Sequence, residues 1–122
     1  MSKTVLIVDD SATMLASLKA TIQMMKLTVE TANNGKAALE KIQGGLKPDL
    51  IITDINMPVM DGLEFIKNVR PILRFTPILI LTTESEQKKR EEAKRLGATG
   101  WLVKPVSGNA LMDVVKRVLP GV

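Results

Sequence analysis

The chain has 122 residues, 45% of them hydrophobic and 25% charged, with a formal net charge of +4. That is the size and composition of one globular domain. It contains no Cys and no His, which excludes disulfides, thiolate metal sites, thiol nucleophiles and His–carboxylate catalysis, and leaves carboxylates, hydroxyls, lysines and a hard cation.

Met1-Ser2-Lys3-Thr4 leads straight into a strand with no signal-peptide pattern, and no apolar run reaches the length of a membrane span. Thr4 to Val8 is a continuous aliphatic run, predicting a strand covered on both faces and ending at Asp9-Asp10. From about Ser11 to Lys26 the spacing of Met14, Leu15, Leu18, Ile22 and Met25 predicts a helix capped by Asp10 or Ser11. Leu27 to Ala32 alternates apolar with polar, the pattern of a half-exposed edge strand. Asn33-Asn34-Gly35 opens a second helix with Ala38, Leu39 and Ile42 inward, stopped by Gly44-Gly45.

Leu50 to Ile52 predicts a buried third strand that delivers Asp54; Asn56 and Pro58 stop it and Asp61-Gly62 marks the next turn. Leu63, Phe65, Ile66 and Val69 predict a third helix that Pro71 ends or kinks, and Ile72 to Thr76 is an irregular connection in which Phe75 has no assigned role. Pro77 opens a fourth strand, Ile78 to Leu81, ending at Thr82-Thr83. Glu84 to Leu96 is helical by propensity but polar nearly all round, with Ala93 and Leu96 its chief apolar positions. Its lysines and arginines, Lys88-Lys89-Arg90 and Lys94-Arg95, alternate with Glu86, Glu91 and Glu92. Mixed charge of this kind is a solvated face, and with aromatics at 2% it argues against nucleic-acid binding. Trp101 to Val103 makes a short fifth strand ending in Lys104-Pro105. Ser107 caps a last helix with Leu111, Val114, Val115, Val118 and Leu119 on one face, ended by Pro120-Gly121.

Five strands each followed by a helix predict an α/β, flavodoxin-like (βα)5 domain over residues 1–122. Right-handed crossovers make the sheet parallel, and the polar second strand at an edge favours strand order 2-1-3-4-5. The carboxyl ends of the strands then share one edge of the sheet, where such folds bind their ligands. They bring Asp9, Asp10, Asp54, Thr82 and Lys104 together. Three close carboxylates repel unless a cation sits among them, and oxygen-only ligands suit Mg²⁺. A carboxylate can also act as a nucleophile and form an aspartyl phosphate, with lysine and hydroxyl groups holding the phosphoryl oxygens. Each of these residues could instead be an ordinary cap or strand end; the coincidence of all of them argues for a site.

Val8-Asp9-Asp10, Asp54 with Met57-Pro58 and Asp61-Gly62, Leu81-Thr82-Thr83 and Lys104-Pro105 together resemble the receiver domain of two-component response regulators. The resemblance runs the length of the chain. It implies that Asp54 is the phosphoacceptor and that Asp9, Asp10, Asp54 and the backbone carbonyl of Asn56 bind Mg²⁺. It also implies that Thr82 and Lys104 sense the phosphoryl group, with Lys104-Pro105 a cis bond. Because the chain stops just after the fifth helix, a stand-alone receiver without an output domain is expected. Gly97 to Pro105, with Thr82-Thr83-Glu84-Ser85, looks like the chemotaxis (CheY-type) branch. That branch implies a cytoplasmic monomer with a CheA-like histidine kinase and a FliM-like flagellar motor switch protein as partners, and no nucleic acid or membrane. A phosphate sink or relay carrier uses the same chemistry with other wiring.

Trp101 departs from the Tyr or Phe usual at this position in the chemotaxis branch. It is either a ring that moves on activation together with Thr82, Lys104 and Pro105, or simple packing at a strand end. Of other classes, a flavodoxin-like electron carrier is disfavoured by the two aspartates in its would-be phosphate loop and by the lack of aromatics. An aspartyl phosphatase acting on external substrates is disfavoured by Asp54-x-Asn56 lying after strand 3 rather than strand 1. The chain is therefore expected to catalyse only its own phosphorylation and dephosphorylation.

Overall fold

In the computed structural model, which describes residues 3–122, the apolar runs become strands and the periodic segments become helices. The predicted lead-in at Met1 and Ser2 lies outside the described residues. The order is β1 (Thr4–Val8), α1 (Ala12–Gln23), β2 (Thr28–Ala32), α2 (Gly35–Gln43), β3 (Leu50–Thr53), α3 (Gly62–Val69), β4 (Ile78–Thr82), α4 (Gln87–Arg95), β5 (Gly100–Val103) and α5 (Gly108–Val118). The sheet is parallel with order β2-β1-β3-β4-β5, as the alternation of strands and helices predicts. No helix among the described residues is long and apolar enough to cross a membrane.

Side chains alternate across each strand, so the sheet divides the core in two. Leu6, Val8, Ile51, Ile78 and Ile80 meet Ala38, Ile42, Phe65, Ile66 and Val69 from α2 and α3 and Ala93 from α4. On the opposite face Val5, Ile7, Leu50, Ile52, Leu79 and Leu81 meet Leu18 and Ile22 from α1 and Leu111 and Val115 from α5. Burial on both faces is why β1, β3 and β4 read as unbroken aliphatic runs. Each such fully buried side chain contributes about 1.5–3 kcal/mol of transfer free energy.

Two helix boundaries and the burial of one strand differ from expectation. Helix α1 ends at Gln23 rather than Lys26, because Lys26 takes a left-handed φ of 62° that turns the chain into β2. Its N-cap is Ser11, whose hydroxyl accepts the Met14 amide at 3.2 Å. Helix α4 starts at Gln87 rather than Glu84, because Glu86 is extended (φ −64°, ψ 125°) after a turn closed by local side-chain bonds. Thr82 Oγ1 accepts Glu84 N–H at 3.1 Å and Glu84 Oε2 accepts Glu86 N–H at 3.2 Å. Such local bonds compete with helix formation. The edge strand β2 alternates less cleanly than predicted: Val29, Glu30 and Thr31 are all half-buried, since α1 and α2 both pack against it.

One tie at the far end of the molecule had no counterpart in the sequence reading. Arg70, just past α3, donates from Nη1 to the carbonyls of Leu73 and Thr76 and from Nη2 to that of Gly97, at 2.7–2.8 Å. It fastens the α3–β4 connection to the turn between α4 and β5.

Candidate functional site

The site follows from register. Val8 pairs with Thr53, so the next residues, Asp9 and Asp54, emerge side by side at the ends of β1 and β3. Thr82 pairs with Val103, and the Lys104 amide donates to the Thr82 carbonyl at 2.8 Å, which brings Lys104 to the same edge. The Lys104-Pro105 bond is cis.

Asp9 and Asp54 are both buried, while Asp10 is exposed at the rim. The buried pair is held by backbone donors. Asp9 Oδ1 accepts Ser11 N–H at 2.9 Å and Asp54 Oδ1 accepts Ile55 N–H at 2.6 Å. The other oxygen of each carboxylate accepts from Lys104 Nζ, at 2.7 Å for Asp9 and 3.0 Å for Asp54. Burial works against the lysine's charge, but the hydrogen bonds and charges of Asp9 and Asp54 outweigh it and raise its pKa above the ordinary value. The ammonium thus supplies the positive charge that two buried carboxylates require.

Asp9, Asp10 and Asp54 each offer an oxygen within 4.8 Å of the others. An all-oxygen, carboxylate-rich donor set of that spread, open to solvent on the Asp10 side, fits a hard divalent cation that keeps part of its water shell. Thr82 is fully buried, its hydroxyl accepting the Glu84 amide. Asn56 is exposed, and its side-chain oxygen lies 3.5 Å from Lys89 Nζ of α4. Lys89 also pairs with Glu84 at 2.9 Å, so one lysine links α4 to the loops after β3 and β4. The hydrogen bond from Lys89 holds the Glu84 carboxyl below its usual range, helped by the Glu86 amide.

The loop between β3 and α3 is shaped by two close contacts that sequence reading did not detect. Met60 N–H donates to Pro58 O at 2.7 Å, a γ-turn centred on Val59 with φ of 70°. A β-branched residue in that region is strained, and Val59 is 76% exposed, so no packing compensates it. Gly62 opens α3 directly against Asp54: a Cβ there would overlap the Asp54 carbonyl oxygen and lie 2.9 Å from Ile55 Cα. The one available signal was a glycine at the first helical position, where a better helix former would ordinarily serve. Lys89 gave none, because it sits in a charge run that reads as solvated surface.

Trp101 is half-buried on β5 and packs against the core on the α2–α4 side of the sheet. It pairs with Ile80, so its ring and the Thr82 side chain share a face as diagonal neighbours. Its indole Nε1 is buried without a hydrogen-bond partner, the one such side-chain atom among the described residues.

Comparison with known proteins agrees with this geometry. The response regulator receiver domain family matches residues 5–116. The chemotaxis protein CheY1 of Helicobacter pylori is 36% identical over 117 residues, covering 93% of this chain and 94% of that protein. The transcriptional regulatory protein PhoP of Bacillus subtilis, named for alkaline phosphatase synthesis, is 34% identical over 119 residues. There the match covers 98% of this chain but only 49% of the relative, so this chain spans about half of that regulator. Among solved structures, the chemotaxis protein CheY4 of Vibrio cholerae superposes with a TM-score of 0.92 at 47% identity, covering 98% of this chain and 100% of the other.

Proposed function

The chain belongs to the response regulator receiver family, and from that premise we propose that it is a phosphoacceptor switch that takes a phosphoryl group on Asp54. The observation that carries the proposal is the Asp54 carboxylate itself. It is buried at the end of β3, fixed on one oxygen by the Ile55 amide and faced on the other by Lys104 at 3.0 Å. In the transfer, an Asp54 oxygen attacks the donor phosphorus, and the bond from phosphorus to the departing histidine nitrogen breaks as the acyl phosphate forms. Water later cleaves that acyl phosphate, releasing inorganic phosphate and restoring the carboxylate.

Asp9, Asp10 and Asp54, with the Asn56 carbonyl, would hold Mg²⁺, which when bound neutralises charge on the phosphoryl oxygens. The chain's own residues do the rest. Lys104 exchanges its carboxylate partners for a phosphoryl oxygen, and the Thr82 hydroxyl turns from the Glu84 amide toward another. Both movements act on the segment that leads into α4, which is the route from site to surface. The activity is confined to this self-phosphorylation and the hydrolysis of the chain's own acyl phosphate.

The near-complete overlap with CheY1 and CheY4 supports a chemotaxis role, in the cytoplasm. The phosphoryl donor is then a CheA-like histidine kinase, and a FliM-like motor switch protein reads the face formed by α4, β5 and α5. Incubation with acetyl phosphate should add one phosphoryl group by mass spectrometry, only with a divalent cation present and not in Asp54→Asn. Label that persists in Asp54→Asn sinks the assignment. Pull-down with beryllofluoride and Mg²⁺ then separates the wirings: motor output requires a switch protein retained only in the activated state, whereas a sink or relay retains kinase or phosphotransfer proteins alone.

A further inference from the structure

The helices run antiparallel to the strands, so α3 and α4 both end at the edge of the sheet where β4 and β5 begin, opposite the carboxylate site. Between these helix ends lies a groove of about 420 Å³ lined by Lys67, Arg70, Pro71, Arg74, Arg95 and Leu96. Every charged residue of the lining is a cation. Arg95 is paired with Glu92, and Arg70 is engaged by backbone carbonyls that leave its charge uncompensated. Lys67 and Arg74 are exposed, and among the described residues neither makes an ion pair or a side-chain hydrogen bond, though Lys67 stands near enough to Glu92 to help lower its carboxyl pKa. The floor is apolar, from Pro71 and Leu96. Beside it stand Ile72, 48% exposed, and Phe75, 93% exposed and next in the chain after Arg74.

Single exposed apolar side chains are unremarkable, but these two adjoin a shallow cationic patch in which Arg95 alone has a carboxylate partner within ion-pair distance among the described residues. We propose that the α3–α4 groove is a docking site for an acidic protein segment that carries an aromatic or aliphatic residue. Its carboxylates face Lys67 and Arg74, and its apolar side chain covers Phe75 and the floor of the groove. Charge complementarity selects the acid, and the apolar floor with Phe75 adds a place for the apolar side chain of a peptide. Since the groove lies at the opposite edge of the sheet from Asp54, docking does not depend on phosphorylation. It would tether the protein to a partner in either state.

The probe is a fluorescein-labelled peptide, Glu-Asp-Phe-Glu-Asp-Leu-Glu, followed by anisotropy, with its Gln/Asn counterpart as the uncharged control. The acidic peptide should bind and the uncharged one should not. Lys67→Glu combined with Arg74→Glu should weaken binding at least about tenfold, which is roughly 1.4 kcal/mol. Lys116→Glu with Arg117→Glu makes the same charge change on exposed positions of α5 and should weaken it by less than about twofold, as screening of distant charges requires. Phe75→Ser should also weaken it, and beryllofluoride with Mg²⁺ should leave it unchanged. Circular dichroism confirms that each variant is folded. Equal losses from both charge-reversal pairs would mean attraction to net charge alone, and would overturn the proposal, as would no binding of the acidic peptide. It also falls if a single-stranded oligonucleotide or phosphatidylserine vesicles bind more tightly than the peptide with the same sensitivity to Lys67 and Arg74.

Discussion

Gly62 lies so close to Asp54 that a methyl group on its Cα would overlap the Asp54 backbone carbonyl oxygen. The Gly62 amide in turn donates to the Ile55 carbonyl at 2.8 Å, so α3 begins by locking the chain just after the candidate phosphoacceptor. Because the obstacle is backbone rather than a movable side chain, Gly62→Ala should lose about 1–3 kcal/mol of stability, the usual range for overpacking. It should also slow acetyl phosphate labelling by shifting Asp54. Urea unfolding checks the first effect and mass spectrometry the second; unchanged values for both would show that the loop yields freely.

Val59 presents the opposite case. Its left-handed φ of 70° strains a β-branched residue with little packing to lose. Val59→Gly should therefore raise stability by about 0.5–1 kcal/mol, the relief of strain less the entropy of a glycine in the unfolded chain. A lower thermal midpoint in the variant would contradict the strain.

Removing Lys104 leaves Asp9 and Asp54 buried against each other. Lys104→Ala should destabilise the metal-free protein by about 3 kcal/mol, as breaking a buried pair does. Mg²⁺ should raise its melting temperature more than that of the wild type, since a cation then replaces the ammonium. The raised pKa of Lys104 fixes the sign of the pH dependence. Its contribution is fully present below the pKa of an unfolded lysine and is lost as pH rises through the higher folded value. The gap between wild type and Lys104→Ala should thus persist through neutral pH and close only in strong alkali. Closure at pH 7–8 would remove Lys104 from this role.

Glu84 makes an acid-side prediction. Its carboxyl is held below the usual range by the hydrogen bond from Lys89 and the Glu86 amide. The stabilisation it contributes is present above the unfolded glutamate pKa and is lost as pH falls through the lower folded value. An NMR titration of the Glu84 carboxyl should show that low midpoint, and Lys89→Ala should move it upward. A midpoint indifferent to Lys89→Ala would leave Lys89 no hold on the loop before α4.

The strand order and the gathering of Asp9, Asp54 and Lys104 were legible because both rest on patterns with a fixed period. Continuous aliphatic runs identify buried strands, and parallel pairing then sends every strand end to one edge. Contacts that depend on close approach were not legible. Gly62 reads as a turn residue until its neighbour is seen to be a carbonyl oxygen, and Lys89 reads as surface until its reach to Asn56 is known. The start of α4 differs for a related reason: propensity favours helix from Glu84, but local bonds from Thr82 and Glu84 side chains accompany a non-helical turn that leaves Glu86 extended. Arg70 went unnoticed because its partners are main-chain carbonyls, which leave no trace in sequence.

Trp101 remains the optical reporter of the site. With its indole nitrogen buried and unpartnered, the resting state carries an unsatisfied donor, a penalty of about 1–3 kcal/mol that another ring position could relieve. Emission intensity or wavelength should therefore change with beryllofluoride and Mg²⁺. Thr82→Ala, which alters the ring's diagonal neighbour, should modify that change. Unaltered emission and quencher access while partner binding still switches would make the ring a spectator.

The clamp made by Arg70 has a mechanical consequence. It holds the turn after α4 to the connection after α3, whereas the first turn of α4 has no side-chain cap and is steadied chiefly by the reach of Lys89. The helix is thus a lever with its fulcrum at Gly97 and its free arm beside the edge that carries Asp54. It is about 13 Å long at 1.5 Å per residue, so a tilt of about 10° displaces the free end by roughly 2 Å. Hydrogen exchange should accordingly be faster at Gln87 to Arg90 than at Lys94 to Leu96. A displacement at Thr82 should then be felt where the arm is longest, and the far groove between α3 and α4 should stay still while the near end moves.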